Sequence, residues 1–422
     1  MDIFRIEGPV RLSGTITVNG SKNASLPIMA AAVLAPGKSI LKGAPQLSDI
    51  SVFSQLLTDI GCKVARQENG NICIDSSAIG KPVGEYDIVR KMRAGICILG
   101  PLLARCGKAR VSMPGGCAIG YRPVDIHLRG LRELGAEISL DNGYIVADAT
   151  RGLRGNEIFL GGPFGSTVLG TANVMMAATL AKGTTVIESA ACEPEVADLA
   201  NCLNKMGAKI TGIGSPRLAI EGVKQLRPFE YQVIPDRIEA GTFMVAAAIT
   251  KGCLNISNCR LLDLMAVVDK LRHIGVTVEA ENTGCIVACS GQVRSTDITT
   301  QPYPGFPTDL QAQFMALLAL ADGNSIIIEK IFPDRFMHIA ELSRMAADLR
   351  KEGSAVIVSG VNKLIAAPVM ASDLRASAAL VLAGLAAEGT TIINRVYHID
   401  RGYEKIEERL NPVGAKITRE SD

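Results

Sequence analysis

The sequence predicts an α/β protein of two similar domains, each assembled from three copies of one repeated unit. Three observations carry that expectation. The chain has 422 residues, too many for one ordinary core, and two domains of roughly 200 residues follow from how surface scales with volume. A glycine that ends an apolar, Ala-rich segment and opens a β-like run recurs at Gly37, Gly107, Gly183, Gly252, Gly323 and Gly389, at intervals of 70, 76, 69, 71 and 66 residues. A second series, Gly61, Gly135, Gly207, Gly275, Gly353 and Gly414, follows amphipathic segments and precedes further β-like runs.

The first unit shows how each copy reads. Ile28 to Leu34 is apolar on every side, so it reads as a fully buried helix with Gly37 as the left-handed residue past its end. Ser39 to Leu41 reads as a strand. Asp49 is expected to cap a second helix whose apolar Ile50, Phe53, Leu56, Leu57 and Ile60 share one face, and Gly61 stops it. Cys62 to Arg66 and Asn71 to Asp75 flank Asn69-Gly70, a hairpin signal. Phe243 to Ile249 and Phe314 to Ala321 are likewise uncharged and cannot face water. Three such helices per domain are expected to bury one another, with the sheets and amphipathic helices outside. Gly222, Pro228 and Pro235 interrupt the pattern and place the domain boundary between Glu221 and Pro235.

Composition narrows the function. With 44 Lys plus Arg against 42 Asp plus Glu and no long run of either sign, nothing suggests a nucleic-acid tail or a membrane-surface patch. An anionic ligand must therefore be met by a local basic cluster. Eleven cysteines without paired spacing read as reduced thiols of a cytoplasmic protein, and four scattered histidines offer no metal grouping. The histidines read as packing or surface residues. The N-terminus lacks the order of a signal peptide, and the longest apolar stretch, Ala376 to Ala387, is interrupted and too short to span a membrane.

Pro114-Gly115-Gly116-Cys117-Ala118-Ile119-Gly120 holds one reactive side chain between glycines that let the backbone approach a ligand or move as a lid. Arg122, Lys108 and Arg110 nearby point to a lowered thiol pKa, against the alternative of a small apolar residue in a turn. Lys22, Arg93, Arg122, Arg335, Arg375 and Arg401 stand beside glycines or in polar loops. Lys22-Asn23 and Asp373-Leu374-Arg375 precede apolar helices, where backbone amides and a cation meet an anion together. Asp236 and Asp309 also precede apolar helices and read equally as caps or as functional carboxylates.

These segments resemble the UDP-N-acetylglucosamine 1-carboxyvinyltransferases, the MurA family of bacterial cell-wall synthesis. The resemblance runs from Phe4-Arg5-Ile6 to Gly414-Ala415-Lys416-Ile417 through Gly20-Ser21-Lys22-Asn23, Met92-Arg93-Ala94, Pro114 to Asp125, Glu193-Pro194-Glu195, Pro235 to Glu239, Phe306 to Gln311, Arg335 to His338, Asp373 to Ser377 and His398 to Tyr403. It implies a two-domain inside-out α/β barrel of six units, three per domain, with the active site in the cleft between them. The domains expected are 22–233, carrying the Cys117 loop, and 1–21 with 234–422.

The resemblance implies enolpyruvyl transfer from phosphoenolpyruvate to the 3′-hydroxyl of UDP-N-acetylglucosamine, the first committed step of peptidoglycan synthesis, without metal or cofactor. Cys117 matches the general acid and fosfomycin target. Lys22, Asn23 and Arg122 match residues near the phosphoenolpyruvate phosphate, and Arg335, Arg375 and Arg401 match the same anionic pocket. Arg93, Pro123, Val124, Asp125 and Ile126 match sugar-nucleotide contacts, Ile331 another, and Asp309 the carboxylate beside the 3′-hydroxyl. Asp236 and Asp373 join the substrate-binding candidates. Between Gly161 and Gly170 the chain departs from the family's shorter pattern, so Ser166, Thr167 and Val168 all stand as candidates for the diphosphate, and Tyr121 occupies a place where a small residue is common. A monomer or weak homo-oligomer is expected. Two other readings are a shikimate-accepting transferase, which lacks the cysteine loop and the Arg122 to Ile126 segment, and a noncatalytic repeat scaffold.

Overall fold

A computed structural model describes residues 2–115, 119 and 123–421. Two compact units divide them: a central one of residues 20–115 and 123–234, and a terminal one that joins residues up to Asn19 with the chain from Pro235 onward. Among the described residues the strands form six four-stranded sheets, three in each unit.

One unit repeats throughout. In the first copy the uncharged helix Lys22–Ala31, extended by the 3-10 turn Ala32–Leu34, leads to the strand Lys38–Lys42, the amphipathic helix Ser48–Asp59 and the antiparallel hairpin of Lys63–Arg66 and Ile72–Asp75. The second hairpin strand sits between the other two, and a parallel edge strand completes the sheet. That edge strand comes from elsewhere in the chain: Glu230–Gln232, after the third copy, pairs with Lys38–Lys42. The central unit is thus closed in sequence, its last strand serving its first sheet.

The terminal unit uses both chain ends in the same way. Ser13–Thr17 is the parallel edge strand of the fourth sheet, with Ile16 opposite Ile256. Asp2–Gly8 lies between Gly389–Asn394 and Ile417–Ser421, antiparallel to both. Each sheet has two edges and none closes on itself. The closed barrel implied by the resemblance is therefore corrected to six open sheets, because each copy buries its apolar face against helices and not against a ring of strands.

Those helices are Lys22–Ala31, Leu99–Cys106 and Val168–Ala178 in the central unit, and Arg237–Ile249, Gln311–Leu318 and Leu374–Ala386 in the terminal one. In Arg237–Ile249 every residue from Ile238 onward is buried. Such a helix has no polar stripe to turn outward, so its neighbours in the core are other apolar helices. Where charge occurs in these segments it stands mostly in the first turn, at Lys22, Arg237, Glu239 and Arg375. Core formation therefore places charge at the helix starts, beside amides that have no partner within the helix.

Two local expectations are corrected. Asp49 does not cap the helix Ser48–Asp59; Leu47 occupies the cap position, and the Asp49 carboxylate, in the first turn, meets Lys22 Nζ at 3.2 Å. In the fifth copy Gly353 closes the hairpin between Asp348–Glu352 and Ala355–Ser359, while Ala346, at φ 67°, takes the left-handed position after the helix His338–Arg344.

Candidate active site

In the terminal unit the starts of two buried helices and the loop that carries Arg335 assemble a charged cluster. Pro307 precedes a 3-10 turn, Thr308–Leu310, so Asp309 does not act as a helix cap and its carboxylate is turned to two guanidinium groups. Arg335 Nη1 donates to Asp309 Oδ1 at 2.8 Å, and Arg375 Nε lies 3.3 Å from Oδ2. Both arginines are buried, Arg375 to 2 % exposure. Arg375 Nη1 is buried with no hydrogen-bond partner among the described residues. Its guanidinium lies 5.3 Å from the centroid of the buried Tyr403 ring, whose hydroxyl is 2.8 Å from Thr242 Oγ1. Gln313 Nε2 ties this floor together by donating to Thr242 Oγ1, to the Tyr403 hydroxyl and to the backbone carbonyl of Asp309.

Charge balance keeps both arginines protonated. Burial opposes the positive charge of Arg335 and Arg375; for Arg335 the neighbouring Asp309 and Asp373 outweigh it, and for Arg375 Tyr403, Asp309 and Asp236 do. Burial pushes the Tyr403 phenol up, with Arg375 opposing. His338 goes the other way: burial lowers it to about 4, so it is neutral near pH 7, and neither ring nitrogen has a hydrogen-bond partner among the described residues.

Asp236 and Asp373 both cap. Asp236 Oδ1 accepts from the amides of Ile238 and Glu239 at 2.9 and 3.0 Å, and Asp373 Oδ1 from Arg375 and Ala376 at 2.9 and 3.2 Å. Capping Asp373 fixes the start of the helix that carries Arg375. Arg401 ends the 3-10 segment Val396–Arg401, half-buried, near enough to His398 to join burial in lowering that imidazole's pKa.

One group was missed in the sequence. Glu329, fully buried, accepts from the hydroxyls of Thr300 and Thr308 at 2.7 and 2.9 Å and from the amides of Ile331 and Phe332 at 2.8 and 2.9 Å. It joins the Ile331 loop to the residue before Asp309. An acid that ends the apolar strand Asn324–Ile328 and precedes Ile331-Phe332-Pro333 was the available signal.

In the central unit Lys22 is the first residue of its helix, capped by Ser21, and is held by Asp49; Asn23 follows it half-buried. Arg93 opens the 3-10 segment Arg93–Ile98 and donates to the carbonyl of Pro123 at 2.9 Å. Val124 is buried at the cap of Asp125–Glu133, with Asp125 exposed in its first turn. Ile126 reaches the loop at Gly162, where an added Cβ would meet its Cδ1 at 2.6 Å, and Arg129 donates to the carbonyls of Phe159 and Gly161. That loop leads into Ser166, Thr167 and Val168, of which Thr167 caps Val168–Ala178 through Gly170 N at 3.2 Å. Arg93, Pro123 to Ile126 and the 161–168 loop thus share one neighbourhood. Cys117 and Arg122 lie outside the described residues. Lys108 and Arg110, read as neighbours of the thiol, engage Asp148 and the Tyr144 ring, at 3.3 and 3.7 Å.

Known proteins are similar throughout. The family profile of EPSP synthase (3-phosphoshikimate 1-carboxyvinyltransferase) matches residues 6–410. A UDP-N-acetylglucosamine 1-carboxyvinyltransferase of Methylacidiphilum infernorum is 55 % identical over 419 residues, 99 % of each chain. One of Trichlorobacter lovleyi is 53 % identical over the whole of both chains. The fold is also that of the enolpyruvyl transferase NikO from Streptomyces tendae, with a TM-score of 0.89 at 24 % identity over 100 % of this chain and 99 % of that one. EPSP synthase from Acinetobacter baumannii follows at 0.77 and 19 %, covering both chains fully. Identity above half, sustained from end to end, together with the carboxylate held between two buried arginines, places the chain in the UDP-N-acetylglucosamine 1-carboxyvinyltransferase family of transferases.

Proposed function

We propose that this chain transfers the enolpyruvyl group of phosphoenolpyruvate to the 3′-hydroxyl of UDP-N-acetylglucosamine and releases phosphate, with Cys117 as general acid. The reading is supported by the identity to transferases of that name and, within the structure, by Asp309 between Arg335 and Arg375 with a buried donor of Arg375 left over. That donor, with Arg335, Arg401, Lys22 and Arg122, suits the carboxylate and phosphate of phosphoenolpyruvate. Arg93, Pro123 to Ile126, Ser166 to Val168 and Ile331 receive the sugar nucleotide. Asp236 and Asp373 hold the helix starts at the anion. A cytoplasmic place follows from the substrates; no helix among the described residues is long and apolar enough to cross a membrane.

The chemistry balances without further groups. Cys117 gives its proton to the methylene carbon while the 3′-oxygen bonds to the adjacent carbon and its proton passes to Asp309. In the second step the C–O bond to phosphate breaks, the leaving oxygen taking the electron pair and the Asp309 proton. The methyl group returns a proton to the Cys117 thiolate and the double bond re-forms. Cations around the phosphate stabilise both steps.

Cys117→Ser tests the acid directly: turnover falls by at least 100-fold while UDP-N-acetylglucosamine still binds in calorimetry. Near-wild-type turnover removes Cys117 from the mechanism. Fosfomycin followed by peptide mapping gives a second reading. Cys62 and Cys97 are poor competitors, their thiols pushed up by burial to about 11 and about 12, whereas the exposed Cys106 and Cys253 serve as internal controls.

A further inference from the structure

We propose that Glu329 is a positioning residue for the base: through the Thr308 hydroxyl it draws Arg335 partly away from Asp309 and so keeps Asp309 able to accept the acceptor's proton. The inference rests on the reading of Asp309 as that base.

A carboxylate gripped by two guanidinium groups is a poor base, because each cation favours its ionised form. Asp309 is in that position, with Arg335 on one oxygen and Arg375 on the other. The structure shows a counterweight on the Arg335 side. Arg335 Nη1 divides its donation between Asp309 Oδ1 at 2.8 Å and Thr308 Oγ1 at 3.0 Å. The Thr308 hydroxyl donates its own proton to Glu329 Oε2 at 2.9 Å. Donating to a carboxylate enriches that oxygen and makes it a stronger acceptor, so the three groups polarise one another. Arg335 is thereby shared between two carboxylates, one directly and one through a hydroxyl. Around the same two guanidinium groups stand Asp236, Asp373 and Tyr403, with His338 neutral. Apart from Asp309, the carboxylates of Asp236 and Asp373 are committed to helix amides, and Glu329 is linked to Arg335 by a relay.

The two oxygens of Glu329 have separate work, which makes the test clean. Oε1 accepts from Thr300 and from the amides of Ile331 and Phe332, holding the loop; Oε2 faces Thr308. Glu329→Gln, placed with its carbonyl at the loop, keeps every loop contact and replaces the acceptor toward Thr308 by a donor.

The experiment measures kcat, its pH profile and the calorimetric affinity for UDP-N-acetylglucosamine in Glu329→Gln, Thr308→Val, the double variant and Asp309→Asn. Expected for Glu329→Gln is about a tenfold lower kcat, an acid limb displaced to lower pH, and an affinity within threefold of wild type. Thr308→Val removes the relay but leaves Glu329 its other donors, so it shows the same displacement even if Glu329→Gln fails to fold. The double variant then loses no more than the worse single one. An unmoved acid limb, losses that add, or a loss confined to sugar-nucleotide affinity overturns the proposal. If Asp309→Asn abolishes turnover while the relay variants match wild type, this inference alone falls; if Asp309→Asn turns over normally, the base reading falls and takes this one with it.

Discussion

Asp309 holds a guanidinium group on each oxygen, and the two arginines are not equivalent there. Arg335 is a direct partner at 2.8 Å, whereas Arg375 approaches through Nε at 3.3 Å and keeps Nη1 without a partner among the described residues. The fork of Arg375 is therefore oriented by one edge and open at the other. A lysine cannot do both, because an ammonium has no planar edge to lay against Tyr403 while donating in two directions. Arg375→Lys should lower kcat/KM for phosphoenolpyruvate by about 100-fold, the equivalent of about 2.7 kcal/mol, in steady-state assays at saturating sugar nucleotide. A change of less than threefold would show that Nη1 meets no substrate oxygen. Arg401→Ala should weaken phosphoenolpyruvate far more than the sugar nucleotide, and equal losses for both ligands in binding titrations would contradict its place in the anionic pocket.

At the scale of elements, the glycine spacing reveals where helices stop because a residue past a helix end adopts a left-handed conformation that favours glycine. In the second glycine series the fifth copy breaks the rule. Ala346 holds φ 67° and bonds Ser343 O through its amide at 3.0 Å, the same contact that Gly61 makes to Thr58 O at 2.9 Å. Its side chain is exposed, so Ala346→Gly relieves strain without opening a cavity. It should stabilise the fold by roughly 0.5–1 kcal/mol after the extra freedom of the unfolded glycine is counted. Denaturant midpoints that fall would refute this. The periodicity thus suggested a glycine count that held in the fifth copy for a different reason, Gly353 serving a hairpin. What spacing cannot show is pairing between distant strands: Asp2–Gly8 fills the sixth sheet across almost the whole chain, and in that sheet the N-terminal strand takes the place that the second hairpin strand holds elsewhere. The partners of Glu329 were illegible for a related reason. Ile328 precedes it and Lys330 follows it, but its hydroxyl donors Thr300 and Thr308 come from two other segments that converge on it only in the fold.

Over the whole molecule, two buried groups of the terminal unit titrate against each other. His338 is lowered by burial from 6.5 to about 4. Below pH 6.5 the unfolded chain binds its proton and the native state does not, so the stability present above pH 6.5 is lost as pH falls toward 4. Glu239 is raised by burial from 4.5 to about 7, although Arg409 and the Asn19 amide oppose the rise. Here the native state holds the extra proton, so the contribution is complete below pH 4.5 and is lost as pH climbs through 7. Between pH 4.5 and 6.5 the slopes have opposite sign and each reaches about 1.4 kcal/mol per pH unit at most. These two contributions should largely cancel there. Removing one should uncover the other: Glu239→Gln should gain stability with rising pH across that window, and His338→Leu should lose it. Urea unfolding of both variants and wild type at half-unit intervals from pH 4.5 to 7 measures the three slopes. Parallel slopes in all three proteins would mean that neither group changes its proton affinity on folding, and that the cluster around Asp309 is balanced by other charges.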